Sequence, residues 1–80
     1  MNTEKQNKNF ETTDLPLMAY LYTQGRSINI SRKVGGRAIF YTEADAKLND
    51  LIEKYRNRQV CVEPTNFYYA LKELKNLIYQ

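Results

Sequence analysis

Eighty residues carrying twelve Lys and Arg, nine Asp and Glu and no histidine make one small, mildly basic domain with a modest core. The single cysteine excludes an internal disulfide, and no apolar run approaches the roughly 18 residues of a bilayer span. Without histidine, Ser–His and Cys–His nucleophile pairs, the commonest general base and most zinc sites are excluded as well.

Residues 1 to about 12 are polar and Asn-rich, with Phe10 as the only large apolar group. They read as a flexible tail, and they hold no apolar core of the kind a signal peptide has. A soluble cytoplasmic protein is the expectation. The folded domain is then expected over 13–80.

The first helix is expected to start near Asp14. Thr13 or Asp14 can cap the free N–H groups, Pro16 suits the first turn, and Gly25 suits the end. Between them LPLMAYLYTQ is apolar on most of its circumference, so it is central to the fold or part of a dimer interface.

The next stretch, RSINISRKVGGRAIFY over 26–41, carries Arg26, Arg32, Lys33 and Arg37 and no acid, and the rest of the chain nearly cancels in charge. It reads as a β-hairpin, because Gly35-Gly36 supplies the positive φ angles of a tight two-residue turn. That turn sets Val34 opposite Arg37, Arg32 opposite Ile39 and Ile30 opposite Tyr41. The face with Ile28, Ile30, Ile39 and Tyr41 is expected to pack inward, and the face with Lys33, Ala38 and Phe40 outward. A one-residue slip would exchange them.

A second helix is expected after Thr42, with Asp45 three residues on in a capping-box relation. Leu48, Leu51, Ile52 and Tyr55 form its buried stripe. Glu43 with Lys47 and Asp50 with Lys54 are acid-before-base pairs on its solvated face, and Arg56 and Arg58 follow at the C-terminal end. QVCV, 59–62, reads as extended, a candidate short third strand in which Cys61 is a small apolar filler. Pro64 opens a third helix whose buried stripe is Phe67, Ala70, Leu71, Leu74, Leu77 and Ile78. The order α-β-β-α-(β)-α describes an α+β domain with a small antiparallel sheet packed on helices.

Thr13-Asp14-Leu15 with Leu17, Ala19, Tyr20, Leu21 and Gly25, the run IFYTEAD at 39–45, and Val62, Pro64, Phe67 and Leu71-Lys72-Glu73-Leu74-Lys75 together resemble a family of small uncharacterised microbial and phage domains. That family is catalogued only as a domain of unknown function, and the similarity covers about residues 12 to 79. The resemblance implies a fold and brings no activity or site.

Function must come from the residues. No GxxxxGK[ST] or GxGxxG loop is present, and no calcium-loop spacing. Glu43, Asp45, Asp50 and Glu53 have ready roles as caps and helix-surface partners, so no catalytic residues, cofactor or metal site are expected and an enzyme is not.

Two surfaces suit nucleic acid. On the hairpin, Arg32, Lys33 and Arg37 near the tip can reach phosphates or base edges. Phe40 beside Lys33 can stack a base, with Arg26, Arg56 and Arg58 as flanking contacts. On the third helix, Tyr68, Lys72, Lys75 and Tyr79 recur along one stripe. The same residues also have structural uses: arginines keep an edge strand unpaired, and tyrosines border cores with the hydroxyl wet. The primary expectation is a non-enzymatic accessory protein that binds DNA or RNA through the basic hairpin, with avidity raised in a homodimer. The alternative is a protein-binding adaptor or inhibitor from a phage or mobile element, docking by its surface. A third is an assembly unit whose function arises in the oligomer. No membrane partner is expected.

Overall fold

The computed structural model describes residues 8–79. The chain runs β1 (Asn9–Thr12), α1 (Leu15–Thr23), β2 (Asn29–Val34), β3 (Arg37–Glu43), α2 (Ala46–Arg56) and α3 (Pro64–Ile78). The three strands form one antiparallel sheet in the order β1-β3-β2. The fold is α+β, with the sequence β-α-β-β-α-α.

The third strand comes from an unexpected place. Residues 9–12, expected as tail, pair with β3 from Asn9 opposite Glu43 to Thr12 opposite Phe40; residues 1–7 of that tail lie outside the described residues. Phe10 and Thr12 alternate with exposed Asn9 and Glu11, which lets Phe10 pack against the core. The stretch 59–62 is irregular instead, with Val60 and Val62 half-buried and Cys61 exposed. Cys61 is therefore not a core filler.

Local chemistry sets the helix ends. The Asp14 side chain accepts from the Leu17 N–H at 3.1 Å, and that of Asp45 from the Leu48 N–H at 2.8 Å. Glu63 accepts from Thr65 and Asn66 ahead of Pro64. Each carboxylate takes up N–H groups that have no partner in the first turn. Asp45 is itself the cap of α2, and Thr42, expected there, is buried near the end of β3. Glu43 is thereby a strand residue, and among the described residues neither Glu43–Lys47 nor Asp50–Lys54 closes as an ion pair.

The turn at Gly35-Gly36 forms as expected, with φ of 56° and 80°. Val34 faces Arg37 and Arg32 faces Ile39, but Ile30 faces Phe40 rather than Tyr41. Ser31 is an extra residue on β2, a bulge that moves the lower strand by one position. The bulge exchanges the expected faces of β3, while Ile28 and Ile30 stay inward as expected. Ala38, Phe40 and Thr42 point at the helices together with Ile28 and Ile30, whereas Arg37, Ile39, Tyr41 and Glu43 point away.

Residues Leu17 to Leu21 of α1 are all buried, so the apolar helix is the centre of the core. It packs against α3 and touches α2, where Tyr20 and Tyr55 stack with ring centroids 5.7 Å apart. Burial raises the pKa of both hydroxyls, and at Tyr55 the Asp14 carboxylate adds to the effect. Leu48 and Ile52 of α2 and Ala70 and Leu74 of α3 complete the buried cluster. Tyr22 and Ala70 line one groove and Leu15 and Ile78 another, so α1 and α3 run antiparallel. Among the described residues no helix is long and apolar enough to cross a membrane.

Candidate nucleic-acid interface

The fold sorts the expected contact residues into those held by structure and those left free. Phe40 is 1% exposed in the centre of the core, so it offers no ring to a ligand. The error traces to the bulge at Ser31, which the pairing of Ile28 and Ile30 at the start of the hairpin concealed.

Arg26 is held too. Its guanidinium donates to the Glu43 carbonyl at 2.6 Å and pairs with Asp45 at 3.2 Å, and its side chain is 14% exposed. It pins the loop after α1 to the end of β3 and the start of α2. The Leu48 N–H and this guanidinium hold the Asp45 carboxyl below its usual range. Bonds from the Asn66 and Thr65 N–H groups do the same for Glu63. These shifts report capping rather than a reactive centre.

Arg32 is exposed but balanced. Glu11 of β1 reaches over β3 to Arg32 at 3.4 Å and accepts from the Ser31 hydroxyl at 3.0 Å. The bridge crosses the outer face of the sheet, above the half-buried Ile39 and Tyr41. A salt bridge this open adds little stability, but it cancels the charge locally.

Arg56 and Arg58 are exposed, but at the wrong end of the sheet. Arg56 lines a cleft with Phe10, whose strand partner is Thr42, five residues along β3 from Arg37. At the rise of a strand that is about 16 Å. Arg58 adopts a left-handed conformation, φ 59°, in the turn that ends α2.

Lys33 and Arg37 behave differently. The bulge turns Lys33 to the helix side of the hairpin, where its ammonium donates to the Ile78 carbonyl in the last turn of α3. Gly36 and Arg37 line a crevice with that same Ile78. The hairpin tip therefore abuts the end of α3. Arg37 is exposed and has no ion-pair partner among the described residues.

Tyr68, Lys72, Lys75 and Tyr79 all remain exposed. Their spacing puts them on one stripe of α3. The Lys72 ammonium lies 5.3 Å from the Tyr68 ring centre and 6.0 Å from that of Tyr69, within cation–π range. Asn66, Tyr69, Glu73 and Asn76 form a different stripe, facing a groove shared with Tyr22 of α1. Lys72 borders the same groove as Glu73, so Lys75 is the α3 lysine of the stripe that stands clear of that carboxylate's groove. Lys33 and Arg37 meet α3 at Ile78, and Lys75 and Lys72 lie about one and two turns back along the helix from it.

Two features escaped sequence reasoning. Tyr69, 57% exposed and tilted against Tyr68 at 5.6 Å, joins the aromatic surface; adjacent tyrosines gave no periodic signal. The closeness of hairpin tip and helix end is a contact 45 residues long, and no local pattern encodes it. Among the described residues no group of three or more Cys, Asp or Glu is placed to hold a metal ion.

No curated protein and no solved structure matches the chain. A family model does match, over residues 7–80, a span that includes β1 with all three helices and the hairpin. The chain belongs to the family described as a domain of unknown function, DUF5659.

Proposed function

We propose that this protein is a non-enzymatic nucleic-acid-binding module whose contact surface is the flank where the hairpin tip meets the end of α3. Lys33, Arg37, Lys72 and Lys75 neutralise phosphates there, and Tyr68 and Tyr79 border them. The observation that carries the reading is the Lys33 ammonium bound to the Ile78 carbonyl. It makes two basic stretches, distant in sequence, into one surface. It also offsets the negative end of the α3 dipole, which would otherwise repel phosphates. An ammonium has three donors, so Lys33 keeps capacity for a ligand.

Four phosphate contacts give weak, salt-sensitive binding. The logarithmic salt slope is then about −3, and affinity falls on the order of a hundredfold between about 50 and 200 mM salt. Fluorescence anisotropy of labelled DNA and RNA oligonucleotides across that range tests this. A slope near −3 supports the reading; no binding at the lowest salt ends it.

A second reading, a protein-binding adaptor, draws on a different observation. The open groove of about 620 Å³ between α1 and α3 has Tyr22 and Tyr69 as walls and buried Ala70 as floor. Tyrosine walls suit a protein contact. A stoichiometric protein partner that survives nuclease treatment and is lost on Tyr22→Ala would favour it.

A further inference from the structure

We infer that the α3 flank takes unpaired strands in preference to duplex, a step that rests on the nucleic-acid reading above. Tyr68 is 55% exposed and Tyr79 is 84% exposed. They stand eleven residues apart on one stripe, about 16 Å along the helix axis, with Lys72 and Lys75 between them. Rings this open gain little from the fold. A duplex gives them little either, because its base faces are already stacked on one another. An unpaired base offers a free face, and stacking on an aromatic ring is tolerant of sequence.

The lysines sit where such a strand needs them. Lys72 lies over the Tyr68 ring, so a base that takes over that face frees the ammonium to reach the base's own phosphate. Lys75 stands one turn from Tyr79, whose N–H is bonded to the Lys75 carbonyl, and Lys33 is anchored at Ile78. A single strand running from Tyr68 to Tyr79 therefore meets a ring, two cations and a second ring, and ends at the hairpin tip. The occupant is single-stranded nucleic acid of either sugar, held by stacking and charge without base-edge readout.

The test is a titration of a labelled oligothymidylate and a labelled duplex of equal length. It compares the unaltered protein with a Tyr68→Leu, Tyr79→Leu double variant that keeps every charge. The unaltered protein should bind the single strand at least tenfold more tightly. The variant should lose about tenfold per ring on the single strand and keep its duplex affinity. Equal affinity for both forms, undisturbed by the variant, would overturn the single-strand preference and leave nucleic-acid binding standing. Failure of the unaltered protein to bind either oligonucleotide at low salt would overturn both. Both rings are exposed, so circular dichroism of the variant should match that of the parent.

Discussion

The ammonium of Lys33, near the tip of the hairpin, donates to the backbone carbonyl of Ile78 in the last turn of α3. A cation at a helix C-terminus opposes the partial negative charge of the unpaired carbonyls. The bond also ties a hairpin to the helix that follows it 45 residues later. Lys33→Met should therefore cost about 0.5–1 kcal/mol, measured by urea denaturation, with Lys33→Arg close to the parent. Equal stability of parent and Met variant would show that the contact does not tie the elements together.

Phe40 gives the sharpest separation between core and surface. Removing its ring from a site that is 1% exposed should cost about 3–5 kcal/mol. Phe40→Leu, checked by the same denaturation, should retain most of that stability. Folded Phe40→Leu protein should bind oligonucleotides as the parent does. A loss of affinity in the folded variant would contradict the inward placement.

Asp45 links acid stability to the Arg26 node. The Leu48 N–H and then Arg26 stabilise its charged form and lower its pKa from the ordinary 3.8. The unfolded chain then takes up the proton first, so stability rises with pH. The contribution is whole above the ordinary value and disappears as pH falls through the lower folded value. Melting temperature measured from pH 6 down to about pH 2 should drop in that window. Asp45→Asn keeps a capping side chain but does not titrate, so its decline should be shallower. Parallel curves would rule this out.

Arg58 holds a left-handed conformation, φ 59°, that costs an L-residue about 1–2 kcal/mol. Glycine avoids that strain but loses more freedom on folding. Arg58→Gly should stabilise the protein by about 0.5–1 kcal/mol and leave oligonucleotide affinity unchanged, because Arg58 lies away from the flank. Differential scanning calorimetry and the anisotropy titration read the two effects.

The helices were legible because their signals are local. Asp14, Pro16, Gly25 and Pro64 mark ends by chemistry within one turn, and the apolar stripes of α2 and α3 repeat at helical spacing. The Gly35-Gly36 turn was legible for the same reason. The sheet was less so. One bulged residue, Ser31, reversed which face Phe40 occupies, and Ile28, just before β2, and Ile30 on it fit either register. Strand β1 has just Phe10 and Thr12 facing inward, too short an alternation to stand out, and its partner lies 30 residues away. The stretch 59–62 alternates more convincingly, yet it forms no strand. At the candidate surface, the tyrosine–lysine stripe of α3 was visible as a pattern. Its junction with Lys33 and Arg37 depends on the tertiary fold.

The most direct measurement compares two triple variants of equal charge loss at opposite ends of the molecule. One carries Arg37→Gln, Lys72→Gln and Lys75→Gln, and the other Lys54→Gln, Arg56→Gln and Arg58→Gln. Both are titrated with a labelled oligonucleotide across a salt series. With the flank as the contact surface, the first variant loses nearly all salt-dependent binding, and its slope falls by about two to three. The second stays within a few-fold of the parent. Equal losses in the two variants would mean that net charge, and not the junction of hairpin and α3, holds the nucleic acid.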